Sequence, residues 1–600
     1  MGRVTALFTA VLFTLGAATH AAAADARCLL QKAADLPVTM EGLTPMVPVK
    51  INGADTLMIA DSGAFFSIIT ADAATRLGMK HVGTPWQMSV QGVNGSASVE
   101  VYVAKDFSFA GIPLHDIQFL VGGREFSAQA AGVLGQNVLA VMDVEYDLAN
   151  GVIRLFKPKD CAKINLAYWA GAKPVSVLSI QPLSPQQRHI LAKATVNGQP
   201  IQVGFDTGAN ASVLKRSAAQ RVGIRVQAED VEPGGLSWGF GRGAVESWIS
   251  PVSNFTIGDE QVQNTRLRVG NLDIEVDMLL GADFFLSHRI YVSNSQHRLY
   301  FTYNGGPVFR LDQPPAAARA ATDSTAPPPV GAVKDSQAPS DAAGFARRGS
   351  AFASRRNFPA AIADFTRAVE LEPLVAQHYY DRAVSRLSLG QPAPAMADLD
   401  QALKLKPDDA RGLEVRGSLY LSQGDFERAR ADLEAAVHAA PEDGNLRLQV
   451  ATTYEQASHF DAAIGHFDAW IAAHPKGDWT AAAFNGRCWT RAFWGKELDK
   501  ALADCNAALK LGLSNSAVLD SRGLVHLRRG ELDAAIADYD AAIKLQPKAA
   551  WSLYGRGLAR QKKGAAADGA ADIKAALTIQ PDLAKEVRRS GLIDEKAGGT

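Results

Sequence analysis

A hydrophobic run that ends on an aspartate occurs twice in this chain of 600 residues. The first copy is Ile59-Ala60-Asp61-Ser62-Gly63-Ala64, and the second is Gly204-Phe205-Asp206-Thr207-Gly208-Ala209. A carboxylate at the end of an apolar strand is costly to bury unless something compensates for it. The same cost, met twice in the same short pattern, implies a fold in which the two carboxylates meet.

The surroundings repeat as well. Residues 47–53 read as a strand entering a turn, and 56–60 as a second strand that ends at Asp61. A short helix follows over 70–77, with Thr70 as its cap. Residues 88–103 alternate about Asn94-Gly95, a hairpin signal. Ala131-Gly132-Val133-Leu134-Gly135 is an apolar segment closed by glycine, and the next hairpin turns at Asn150-Gly151. Residues 190–303 give the same order. A strand and turn over 191–198 precede the strand to Asp206, a short helix lies over 215–223, and a Gly-rich stretch occupies 234–249. Asp277-Met278-Leu279-Leu280-Gly281 then matches the earlier apolar segment, and 288–301 is the closing hairpin. Several segments recurring in one order mark an internal duplication.

These residues resemble the retropepsin-like aspartic proteases, most closely their bacterial periplasmic branch. The likeness rests on Asp61-Ser62-Gly63-Ala64, Asp206-Thr207-Gly208-Ala209, Leu134-Gly135 and Leu280-Gly281-Ala282-Asp283-Phe284. It implies two all-β lobes, 36–160 and 185–303, fused as a pseudo-dimer with the outline of pepsin. It assigns catalysis to Asp61 and Asp206, sharing one proton because two adjoining carboxylates cannot both ionise. Ser62 and Thr207 would hydrogen-bond across the lobe interface. Gly63 and Gly208 would let backbone amides reach the carboxylates, and Ala64 and Ala209 would keep space open beside them. Gly92, Asn94 and Gly95 in one lobe, with Trp238 and Phe240 in the other, are flap candidates. Two departures stand out: Ser62 where Thr is commoner, and Gln136-Asn137 after Leu134-Gly135. The implied activity is endopeptidase cleavage of an extended polypeptide, with no metal or other cofactor. Two other readings stay open: a non-catalytic scaffold whose paired lobes bind peptide or mediate dimerisation, and lobes that pair between chains.

Residues 304–340 are rich in Pro and Ala and read as a linker. Beyond them the texture becomes helical. Pro373, Pro407, Pro441 and Pro475 are evenly spaced, as are Pro547 and Pro581. Small residues keep a fixed offset: Gly349, Ala383, Gly417, Ala451, Gly523 and Gly557. This is the period of tetratricopeptide repeats, helix pairs that stack into a solenoid. About seven repeats fill 341–581, and 582–600 form a C-terminal cap or tail. Such arrays bind protein partners through a concave groove.

The first 24 residues read as a secretory signal: Arg3, an apolar stretch over 4–17 and Ala22-Ala23-Ala24 at the cleavage site. The expected location is the periplasm or the exterior, with no stable membrane span after cleavage. Lys and Arg total 61 against 62 Asp and Glu, which argues against nucleic acid as a partner. Export permits disulfides. Four cysteines allow 3 connectivities. Cys28 and Cys161 bracket the first lobe, and Cys488 and Cys505 fall on facing columns of one helix pair, so Cys28–Cys161 and Cys488–Cys505 are the expected bonds.

Overall fold

The computed structural model describes residues 28–83, 89–92, 95–98, 100–122, 130–162, 164–182, 189–226, 228, 230–237, 245–309, 339–441, 443–475, 479–511 and 516–593. The leader, Asn94, Trp238, Phe240 and most of the linker lie outside them.

Strand Thr44–Ile51 buries Val47, Val49 and Ile51 and exposes Pro48 and Lys50, the two-residue period of a sheet with one wet face. Its antiparallel neighbour Ala54–Ala60 differs. Met58, Ile59 and Ala60 are all buried, so both faces are covered where the strand ends. The chain therefore delivers Asp61 into the interior. Strand Gln199–Phe205 does the same for Asp206, with Val203, Gly204 and Phe205 buried.

The two lobes share one strand order. In the first it runs Thr44–Ile51, Ala54–Ala60, Ala130–Leu134, Ile68–Ile69, Ile112–Val121, Glu100–Phe109, Lys80–Gly83. In the second it runs Leu191–Val196, Gln199–Phe205, Met278–Leu280, Val213–Lys215, Glu260–Gly270, Val245–Ile257, Glu232–Ser237. In both, the first strand also pairs with the sixth, curling the sheet on itself. The first lobe adds strand Thr39–Glu41 at one edge. Short helices Ala71–Arg76 and Arg216–Arg221 occupy equivalent places, and Thr70 Oγ1 caps the first by accepting from Ala73 N at 3.2 Å.

A third sheet joins the lobes. Leu29–Pro37, Val152–Lys159 and Asp143–Asp147 on the first-lobe side continue into His288–Ser293, Arg298–Tyr303 and Ser176–Ser179 on the second, so strands that start at Leu29 and at Ser176 extend the expected lobe bounds of 36 and 185. The seam is the antiparallel pairing of Val144 with Val292 and Tyr146 with Ile290. The lobes thus pair within one chain. Glu145 and Asp147 are buried beside this seam, where Arg154 and Arg289 neutralise them. Cys28 and Cys161 are bonded, with Cα atoms 4.6 Å apart, next to the outer strands of this sheet.

Among the described residues, fourteen helices, from Ala342–Ser354 to Ala566–Ile579, form seven antiparallel pairs, and Leu583–Arg589 follows. The small-residue column works by close approach: a Cβ on Gly349 would lie 2.8 Å from the Phe365 ring of the partner helix. Cys488 and Cys505 are bonded across one pair, with Cα atoms 5.5 Å apart. A feature absent from the sequence expectations also binds six of the seven pairs. The guanidinium of Arg348, Arg382, Arg416, Arg487, Arg522 and Arg556 donates twice to Asp364, Asp398, Asp432, Asp504, Asp538 and Asp572 respectively. Such forked pairs fix geometry as well as charge. Several reach back to the preceding repeat, as Arg416 does to Asp400 at 3.0 Å and Arg556 to Asp540 at 2.7 Å. The fourth repeat breaks the series, with Val450 and His466 in the two places.

The array rests on the lobes. Met40 N donates to Ser350 Oγ at 3.1 Å, Ser354 Oγ donates to Gly42 O, and Arg411 pairs with Glu41 at 3.6 Å. Its far end returns to the second lobe, where Lys548 Nζ meets Val231 O at 3.4 Å. Among the described residues no helix is long and apolar enough to cross a membrane.

Candidate active site

Asp61 and Asp206 leave their strands at equivalent points. Asp61 N donates to Leu134 O at 3.0 Å, and Asp206 N to Leu280 O at 2.9 Å. Each strand is thereby tied to the apolar segment running parallel beside it, Ala60 opposite Leu134 and Phe205 opposite Leu280. Beyond each aspartate the chain turns back over the carboxylate. Asp61 Oδ1 accepts from Gly63 N at 2.8 Å and Ala64 N at 2.9 Å. Asp206 Oδ1 accepts from Gly208 N at 2.9 Å and Ala209 N at 3.1 Å.

The two loops interlock. Ser62 N donates to Thr207 Oγ1 and Thr207 N to Ser62 Oγ, both at 2.9 Å. Each hydroxyl then donates onward to the opposite strand, Thr207 Oγ1 to Ala60 O at 2.7 Å and Ser62 Oγ to Phe205 O at 3.0 Å. Both side chains are fully buried. The interlock brings the carboxylates of Asp61 and Asp206 within hydrogen-bonding reach of each other. Glycine is required beside them, because a Cβ on Gly63 would lie 2.2 Å from Asp206 Cγ and one on Gly208 2.3 Å from Asp61 Oδ2.

Burial raises the Asp61 carboxyl well above its ordinary value, and the neighbouring Asp206 charge raises it further. Burial also raises Asp206, against the lowering effect of its hydrogen bonds to Asp61 and the loop amides. Desolvation and a like charge both disfavour the doubly ionised pair, so the pair retains a shared proton over a wider pH range than free carboxyls do.

A supporting layer escaped the sequence expectations. Ser67 lies five residues after Ser62, and Ser212 five after Thr207. Asn137 Oδ1 accepts from Ser67 N and Oγ, both at 2.8 Å, and Ser67 Oγ accepts from Gly135 N. In the second lobe Asp283 Oδ1 accepts from Ser212 N and Oγ, and Ser212 Oγ from Gly281 N. Asn137 therefore fills the structural place of Asp283. Gln136, the other departure in the motif, donates from Nε2 to Ser62 O at 2.9 Å and steadies the first loop. The equal offsets of Ser67 and Ser212 were the available signal.

The small hairpin Ser89–Gly92 with Gly95–Ser98 stands where a flap was expected, Gly92 opposite Gly95. In the second lobe Glu232–Ser237 pairs with Val245–Ile257.

The aspartyl protease family model matches residues 47–138 and 192–284, one segment in each lobe. The two lobes are retropepsin-like. Tetratricopeptide repeat models match 346–410, 414–478 and 523–564, within the helical array that follows the retropepsin-like tandem. Solved structures similar to this chain include tetratricopeptide repeat proteins. One is from Parabacteroides merdae, 17% identical over 42% of this chain and 98% of that one, TM-score 0.35. Yeast Tom70 is 16% identical over 42% of this chain and 54% of its own, TM-score 0.32. MamA is 24% identical over 28% of this chain and 96% of its own, TM-score 0.23. No curated protein matches the chain.

Proposed function

We propose that the tandem lobes are an exported aspartic-type endopeptidase and that the helical array recruits its substrate or a protein partner. The observation carrying this reading is the reciprocal Ser62–Thr207 interlock, which holds two carboxylates against each other in one chain. Peptide hydrolysis without a metal needs an activated water and a proton for the leaving amine. In the singly protonated pair, the ionised carboxylate takes a proton from water as its oxygen attacks the peptide carbonyl carbon. The protonated carboxyl gives its proton to the carbonyl oxygen. The tetrahedral adduct then collapses: the carboxyl that took the water proton passes it to the nitrogen, the other carboxylate takes a proton from an adduct hydroxyl, the C–N bond breaks and the pair returns to its starting state. The loop amides of Gly63, Ala64, Gly208 and Ala209 orient the carboxylates throughout. The pair titrates as a unit, so neither aspartate owns the proton.

Export is inferred from the leader-like first 24 residues and agrees with the two disulfides. Purified protein is expected to cleave an unfolded polypeptide best at mildly acidic pH. Asp61→Asn and Asp206→Asn should each abolish cleavage while leaving the circular dichroism spectrum unchanged. Full activity in both variants, or none in the folded wild type from mildly acidic to neutral pH, would overturn the protease reading in favour of a peptide-binding scaffold.

A further inference from the structure

The inner wall of the array is already occupied. First helices of neighbouring repeats pack on one another, Thr480–Trp494 on Ser516–Arg529 and the latter on Ala550–Lys562, so they form the concave side. The wall curves tightly enough for Trp489 and Trp551, two repeats apart, to meet edge to face at 5.2 Å between ring centres.

The C-terminal segment lies against this wall. It begins as an eighth repeat, with Pro581 and Gly591 each continuing a column from Pro547 and Gly557. It does not extend the solenoid. Leu583 and Val587, one turn apart on helix Leu583–Arg589, are both fully buried. Trp551 Nε1 donates to Glu586 Oε2 at 3.2 Å. Arg589 lies over the Phe493 ring at 5.2 Å and donates to Gln456 O at 3.0 Å, a residue of the fourth repeat. Arg528 donates to Ser590 O, and Leu592 packs against the apolar cluster that includes Cys488, Cys505 and Leu524. Between Glu586 and Leu592 the segment thus touches the first helices of four successive repeats. A terminal cap has only the last helix pair to cover.

From this placement we infer that the concave groove is a docking site for a short amphipathic helical peptide, and that segment 582–593 of this chain fills it as a resident ligand in cis. The segment states the chemistry of a competing partner. It would present two apolar side chains one turn apart, then a basic side chain to stack on Phe493, then a further apolar residue. Binding of such a partner requires the tail to leave, so the groove is gated by its own chain. This inference concerns the array alone and stands whether or not the lobes cleave peptide.

The test uses a fluorescein-labelled copy of residues 582–593 as probe. A chain ending at Pro581 should bind it saturably, at least about ten-fold tighter than the full chain does, and Phe493→Ala in that background should weaken binding about ten-fold. Equal affinity for both chains, or no binding to a truncated chain with an intact helical spectrum, would overturn the inference. The full-length Arg589→Glu variant covers the case in which truncation unfolds the array. Its amides over 583–592 should exchange hydrogen at least about ten-fold faster than in wild type, while Thr480–Trp494 stays protected. Unchanged exchange in the tail would overturn the inference too.

Discussion

Ser62 and Thr207 exchange backbone-to-hydroxyl hydrogen bonds at 2.9 Å in both directions, although they belong to different lobes. Thr207→Ala removes the acceptor of Ser62 N and the donor to Ala60 O, leaving both groups buried. An unsatisfied buried partner costs about 1–3 kcal/mol. Chemical denaturation should show a loss of that order or somewhat more, and turnover should fall. Thr207→Ser retains the hydroxyl and should restore most of both. Equal damage by the two substitutions would show that the threonine methyl, not the hydroxyl, matters.

Gly208→Ala tests the crowding beside the carboxylates. Its Cβ would lie 2.3 Å from Asp61 Oδ2, closer than real contacts allow, so the carboxylate or the loop must move. A displacement of about 1 Å at reacting groups costs on the order of a hundredfold in rate. Peptide cleavage should fall by at least that much, with the melting temperature lowered only modestly. Wild-type turnover in this variant would show that the carboxylates have more freedom than the geometry implies.

The acid pair should oppose folding as pH rises. Both carboxyls have folded pKa values raised above their ordinary value of 3.8. Stability linked to such groups is fully present below the unfolded pKa and is lost as pH rises through the folded one. Asp61→Asn removes one titrating partner and the like-charge repulsion. Its melting temperature, relative to wild type, should therefore be higher at about pH 7 than at about pH 3.5. Calorimetry at the two pH values checks this, and the opposite ordering would contradict the sign of the shift.

In the array, Arg416 and Asp432 form a forked, partly buried pair. Removing one partner of a buried pair costs about 3–5 kcal/mol, whereas replacing both with apolar residues is often neutral. Because Arg416 retains some solvent contact and its bond to Asp400, Asp432→Leu should lie at the lower end of that range, about 3 kcal/mol. The double variant Arg416→Met with Asp432→Leu should recover most of the loss. Urea denaturation of the four members of this cycle gives the coupling directly.

Much of this molecule was legible in the chain. The duplicated Asp-Ser/Thr-Gly-Ala loops, the alternating strands and the even prolines each report local geometry, which neighbouring residues dictate. Asn137 looked like a departure from its motif, yet it accepts from Ser67 as Asp283 accepts from Ser212. A neutral amide oxygen can accept from the same donors in the same geometry as a carboxylate oxygen. The Arg–Asp series carries no such local signal, because charges on helices usually face solvent. Only the stacking of two helices shows that Arg348 and Asp364 share one forked contact.

By itself the sequence determined the two β-lobes, the helical array, the residue types at the paired loops and cysteines positioned to bond. Those features follow from periodicity and turn chemistry, which act over a few residues. The tertiary structure decided which distant groups meet. Docking of Asp143–Asp147 on His288–Ser293 joins the lobes, so Asp61 reaches Asp206 within one chain. Curvature accumulated over successive repeats brings Arg589 back to Gln456. Small rotations between packed elements add up over a long chain, and no local pattern of residues encodes their sum.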